Sequence, residues 1–411
     1  MGTIRLKKLK PGMMLADDVR DVKGRLLLAR GKLIGPEHIR IFKIWGIPQI
    51  EVLGAPDSME PSAAAPVDPA RLEKVRKETE ALFRHTDREQ PAVQEIFNQA
   101  VSYRAARQHS QPSVNLPPEK TDSTGKRRGP DFLETFIEKE IALPEIPSIV
   151  YELNEVIANP LSSADQMAQV INKSPSLTAL LLKIVNSSFY GLPSKVDRVS
   201  LAVTLIGTRE LSALALGISI LSMFKNIPSS LLNMRFFLQH SLACGIVSRL
   251  LAAQKSMRQT EQMFTAGLLH DLGRLILFIY FPDETLGVLR HSLENAVCLH
   301  TVEKKRLGCH HAHIGKYLLN RWRLPLILEN TVCFHHEPGE SPDPVPAGIV
   351  HVADILVNAL GIGTSGERLV PPLNAKAWEA LELPPSCFEV VVKQAVNQLN
   401  TMELLLQDRL P

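Results

Sequence analysis

His270 and Asp271 stand side by side within Phe264–Phe281, FTAGLLHDLGRLILFIYF, a stretch that is apolar on almost every face and so predicts a buried helix. That placement constrains everything else. An ionised carboxylate and an imidazole taken out of water cost several kcal/mol unless something compensates, and a metal ion is the most economical partner for the pair. The alternative is a hydrogen-bonded core pair with no chemistry. Ten of the thirteen histidines lie between His240 and His351, so any chemistry is expected in that third of the chain.

The 411 residues, 45% hydrophobic, are enough for a sizeable core and for two or three domains. A formal charge of +3 with dispersed basic residues gives no reason to expect a nucleic-acid or anionic-membrane partner; the triplet Lys126, Arg127 and Arg128 reads as a solubilised linker. Cys244, Cys298, Cys309, Cys333 and Cys387 are odd in number and contain no CxxC pair, which fits reduced thiols in a cytoplasmic setting. The N-terminal MGTIRLKKLKPG lacks a signal-peptide core, and the longest apolar run is interrupted by His270, Asp271 and Arg274, so no membrane span is expected.

Four regions are expected along the chain. Residues 1–54 predict a small α/β unit, with strands at Met13–Val19, Arg25–Ala29 and Gln49–Leu53 and a helix opened by Pro36. Residues 55–130 read as linker, rich in Pro, Ala and Ser at first and polar at the end, with one charged helix between Arg71 and Arg107. From 131 to 360 the pattern is helical almost throughout, and 361–411 adds a helical extension. Ser163 with Gln166 fits a capping box, and Ser174 with Pro175 fits an N-cap and first helical position. The expected fold is therefore mainly α.

Wheel phase sorts the histidines. In His311–Trp322 the apolar face of Ile314, Gly315, Leu318, Leu319 and Trp322 includes His311 and excludes His313. In Ile349–Leu360 a polar stripe of His351, Asp354 and Asn358 faces either water or a site. His335 and His336 precede Glu337, Pro338 and Gly339, where a helix ends and side chains can converge. His240, His270, Asp271, His311, His335, His336 and Asp354 then supply five imidazoles and two carboxylates and no thiolate. Such donors suit iron, manganese or zinc, and the carboxylates could bridge a binuclear pair. A metal so held polarises a phosphoryl oxygen and activates water, with Arg274 one turn after His270 as a phosphate grip. His291, His300, His310 and His313 read as surface residues.

The ordered pieces LPEIPSIVYELNEVIANPLSS, INKSPSLTALLLKIVNSSFYG, HSLACG, GLLHDLGRL, HHAHIGKYLLNRW and CFHHEP resemble the HDOD family, the HD-related output domain of bacterial signalling proteins. The wider resemblance is to the HD superfamily of metal-dependent phosphohydrolases. The N-terminal LKPGMMLADDVRDVKGRLLLARG is similar to the accessory domain preceding HD-GYP phosphodiesterases, which cleave cyclic di-GMP. Two departures bear on activity. PGESPDPVPAGIVHVAD reaches Asp354 without a Gly-Tyr-Pro triplet, and Arg274 replaces the expected lysine, a planar fork for a point charge. The HDOD resemblance implies regulation through a signalling partner or a small nucleotide ligand. The HD kinship implies, as the alternative, a metal-dependent phosphodiesterase with Asp271 and Arg274 in catalytic roles.

Overall fold

In the computed structural model the described residues are 2–5, 9–20, 26–44, 49–53, 69–107, 147–159, 162–186, 190, 192, 195–224 and 231–406. The linker stretches 54–68 and 108–130, with Lys126 to Arg128, and the first part of the expected body, 131–146, lie outside them.

The N-terminal unit contains β1 (Gly2–Arg5), β2 (Val19–Arg20), β3 (Leu26–Leu28), α1 (Pro36–Ile44) and β4 (Gln49–Val52). β1 pairs antiparallel with β4, Gly2 opposite Val52 and Arg5 opposite Gln49, while β2 pairs with β3. Leu15, Ile34, Phe42, Ile50 and Val52 form a core of their own. The strand expected at Met13–Val19 shrinks to single bridges, Met14 to Leu33 and Leu15 to Val52, because the chain turns there instead of running extended.

The charged helix expected in the linker is two helices, α2 (Pro69–Leu82) and α3 (Pro91–Ala106), and they pack on the body. Phe83, Ile96, Phe97 and Ala100 enter the main core, with the Phe83 and Phe97 rings edge to face at 5.3 Å. Arg104 donates to the carbonyls of Ala359 and Asn358, at 2.7 and 3.2 Å. α3 packs on the helices at 344–360 and 387–406.

The rest is helical among the described residues: α4 (Ser148–Ala158), α5 (Ala164–Asn172), α6 (Pro175–Val185), α7 (Val199–Ile206), α8 (Thr208–Leu221), α9 (Met234–Gln254), α10 (Thr260–Leu269), α11 (Leu272–Tyr280), α12 (Pro282–Asn295), α13 (Leu299–Leu307), α14 (His311–Arg321), α15 (Leu326–Phe334), α16 (Pro344–Leu360), α17 (Ala375–Leu381) and α18 (Cys387–Leu406). The Ser163–Gln166 capping box and the Ser174 cap before Pro175 are both formed. α7 and α8 are divided at Gly207, whose φ of 108° only glycine adopts easily.

Two close approaches set up the site. α9 crosses α10 at Gly245 and Gly267, where an added Cβ would meet the Phe264 carbonyl at 2.8 Å and the Cys244 carbonyl at 2.7 Å. α11 meets α14 at Gly273, where a Cβ would stand 2.0 Å from the carbonyl of His311. Any larger residue would push these helices apart. Met234–Gln254 and Thr260–Tyr280 are long and apolar enough to cross a membrane, but 72% and 89% of their apolar windows are buried inside the bundle, where they form its centre.

Candidate metal centre

The segment predicted as one buried helix breaks at the two residues that matter. α10 ends at Leu269 and α11 starts at Leu272, with Asp271 at φ −96° and ψ 13° between them. Continuous apolar patterning gives no hint of this break, since both halves face the core. Its effect is to aim both side chains inward. His270 Nδ1 donates to the Gly267 carbonyl at 2.7 Å, which turns Nε2 toward the interior.

Two further histidines are set the same way. His335 Nδ1 donates to the Val332 carbonyl at 2.7 Å. His311 Nδ1 lies 2.5 Å from Glu303 Oε2, the charged acceptor to which it donates, and 3.2 Å from Arg274 Nε. Three imidazoles thus turn their Nε2 atoms toward one region, each held at Nδ1 by an outer acceptor, as metal-ligating histidines usually are.

All seven expected ligands meet there. His240 Nε2 is 3.2 Å from Asp354 Oδ1, and His270 Nε2 is 3.1 Å from Asp271 Oδ2 and 3.5 Å from Asp354 Oδ1. Asp271 turns its other oxygen to His311 Nε2, at 2.9 Å. His311 Nε2 is in turn 3.4 Å from His335 Nε2 and 3.2 Å from His336 Nε2. On the polar stripe of α16 it is Asp354 that enters the site. His351 is occupied elsewhere, donating to the His335 carbonyl and accepting from the Asn374 amide.

Does this set fit a metal? His270 Nε2 and Asp271 Oδ1 are buried and make no hydrogen bond of acceptable angle despite their near neighbours. Orphaned buried acceptors are rare in native proteins and call for an ion or a water. The charges agree. Asp271, Asp354 and Glu303 against Arg274 leave two surplus negative charges, which protons on the imidazoles or a metal cation must balance. Burial alone would raise the Asp271 carboxyl, but Arg274, His270 and His311 outweigh it and hold it well below the usual range. Burial likewise opposes a charged His270, yet Asp271 and Asp354 raise its pKa to about 10. Burial and adjacent imidazoles push His335 and His336 well down, so both are neutral and ready to ligate. The residues fit a divalent cation.

Arg274 does not face a phosphate position. It is 3% exposed, its guanidinium bonds Asp271 and Ser365, and its Nε lies 3.6 Å from Glu303. His310 corrects the surface reading: it is 2% exposed, because its wheel position next to His311 is covered by the His313 and His336 rings at 4.1 and 5.8 Å. Sequence reasoning also missed Glu303 and Ser365, for which no local signal exists, and Cys244, which follows His240 by one turn and comes within 3.6 Å of its Nε2.

Residues 143–338 match the HDOD domain. A protein of Treponema pallidum, uncharacterized, is 26% identical over 204 residues, covering 49% of this chain and 39% of its own length, so the matched stretch is well under half of that relative. Among solved structures, an HDOD domain protein of unknown function from Geobacter sulfurreducens has a TM-score of 0.58 at 21% identity, covering 67% of this chain and 97% of its own. A candidate phosphohydrolase from Shewanella amazonensis SB2B has a TM-score of 0.53 at 19% identity, covering 68% and 99%. A candidate signal transduction protein from Marinobacter aquaeolei VT8 has 0.52 at 19%, covering 80% and 68%. At these identities the likeness is one of fold.

Proposed function

We propose that this chain, which carries an HDOD domain over residues 143–338, is a cytoplasmic bacterial signalling protein whose helical body acts by binding a protein partner or a small nucleotide ligand, with its metal centre as an internal brace. The enclosure of the donors carries this reading. Six of the seven, His240, His270, Asp271, His311, His335 and Asp354, are at most 5% exposed. A hydrolase needs its reacting atoms within reach of substrate, and it needs donors free to meet the phosphate. Here Arg274 is spent on the site's own wall, holding Asp271 in place against Ser365. The same contacts make Arg274 a positioning residue, since it fixes the carboxylate that serves both groups of imidazoles. The buried free cysteines fit a reducing compartment.

One observation favours the second reading, a metal-dependent phosphodiesterase. Asp271 offers Oδ2 to His240 and His270 and Oδ1 to His311, which is how a carboxylate bridges two ions. Divalent metal bound there would polarise a phosphoryl oxygen and lower the pKa of water. The full-length protein, loaded with iron, manganese or zinc, decides between the two when given cyclic dinucleotides and a generic phosphodiester beside its Asp271→Asn variant. The binding reading expects stoichiometric metal with no turnover that depends on Asp271. Turnover lost in Asp271→Asn would overturn it in favour of the hydrolase.

A further inference from the structure

We infer that Cys244 is a metal ligand, and that with His240, His270 and Asp354 it forms a closed, four-donor site of the zinc class beside a more open site formed by His311, His335 and His336. This rests on the metal-centre reading above and goes beyond it in assigning a thiolate, a metal class and unequal roles to the two halves.

Cys244 lies on α9 four residues after His240, so both side chains leave the same face of the helix. The close crossing at Gly267 brings that face against His270, and α16 delivers Asp354 from the other side. The ligand atoms of His240, Cys244, His270 and Asp354 all lie within 4.8 Å of one another. Their separations are informative. Zinc bonds of about 2.0 Å to nitrogen or oxygen and about 2.3 Å to sulfur imply tetrahedral edges of roughly 3.2–3.8 Å. The observed edges are 3.2 Å from His240 to Asp354, 3.5 Å from His270 to Asp354 and 3.6 Å from Cys244 to His240. Three of the six edges thus stand at tetrahedral spacing before any ion draws the side chains in, and the other three are within 4.8 Å.

A buried cysteine is more often a small apolar filler. Two observations set Cys244 apart. The His270 Nε2 beside it is fully buried and has no hydrogen bond. The other four cysteines join no comparable group among the described residues. A thiolate donor is soft and selects zinc over manganese, magnesium or calcium. Four protein donors are the count of structural zinc sites, and Asp271 Oδ2, 3.1 Å from His270 Nε2, stands where water would otherwise enter. The second group has only three imidazoles, His311, His335 and His336, plus Asp271 Oδ1, and keeps whatever exchange capacity the centre has. Ligation takes one proton from the Cys244 thiol, which passes to solvent as the metal enters.

Cobalt(II), titrated into the full-length protein, reads the two donor types separately. The expected result is visible ligand-field bands from both groups and a sulfur-to-cobalt charge-transfer band in the near ultraviolet that saturates at one equivalent. In Cys244→Ser the charge-transfer band disappears while ligand-field bands remain, which also shows that the variant is folded. Zinc affinity of the first site falls on the order of 100-fold in that variant, with a smaller change for manganese. Ligand-field bands without charge transfer in the wild type would overturn the Cys244 assignment and leave the metal centre standing. A charge-transfer band that survives Cys244→Ser would overturn it too, by placing the thiolate elsewhere. No cobalt bands of either kind would bring down the metal centre itself, and this inference with it.

Discussion

Helices α9 and α10 carry two buried polar groups, one at each end of their crossing, and the two are built on opposite terms. At one end Arg249 pairs with Glu261 at 3.1 Å, Tyr190 donates to the same carboxylate at 3.1 Å, and Arg249 reaches Gln398 at 3.2 Å. One cation meets one anion, and neutral donors and acceptors fill in around them. At the other end His240, Cys244 and His270 meet Asp271 and Asp354 with carboxylates in excess and acceptors left over. The first group balances its charge within the protein. The second closes its balance only with protons or a metal cation, which is what separates a site from a structural ion pair.

Breaking the second group should cost most. Asp271→Ala takes from buried Arg274 the carboxylate at 3.3 Å and leaves it Glu303 at 3.6 Å, and we expect about 3–5 kcal/mol off the unfolding free energy in urea, together with loss of bound metal. Arg249→Met should cost about 1–3 kcal/mol, less because Arg249 retains some solvent, and should leave metal content unchanged. Adding Glu261→Leu should recover part of that loss, which a double-mutant cycle measures. Metal loss in Arg249→Met would erase the distinction between the two ends. Gly273→Ala tests position without removing a ligand. Its Cβ collides with the His311 carbonyl, so a cost of about 1–3 kcal/mol should come with weakened metal binding as α14 is pushed away.

The last test varies pH. His270 has its folded pKa raised from 6.5 to about 10, so protonation contributes stability that is fully present below 6.5 and is lost as pH climbs through 10. Metal-stripped protein should therefore melt progressively lower across that window. Metal-loaded protein, in which the ion has displaced the proton, should show a flatter profile by calorimetry. Equal profiles would mean that no proton and metal compete at His270.

Much of the second group could be read from the chain. The HD adjacency, the phase of His311 and the α16 stripe pointed to residues that the fold draws together from five segments. What failed had specific causes. The break at His270 and Asp271 is invisible to apolar periodicity because both flanking helices are buried. Glu303 and Ser365 approach from distant turns and carry no local signature. Helices α12 and α13 did carry one, with Pro282, Asp283 and Glu284 at a helix start and Gly308 at an end. Cys244 had the i+4 spacing from His240 that marks a shared face, and counting it only as a reduced thiol hid it.

The central claim is that these residues hold metal, and elemental analysis of the full-length protein after zinc or cobalt loading and desalting tests it most directly. The account predicts at least one tightly held transition-metal ion per chain in the wild type and little in a variant combining Asp271→Asn with Asp354→Asn. A wild-type protein that retains no metal, or a double variant that retains as much, would contradict it.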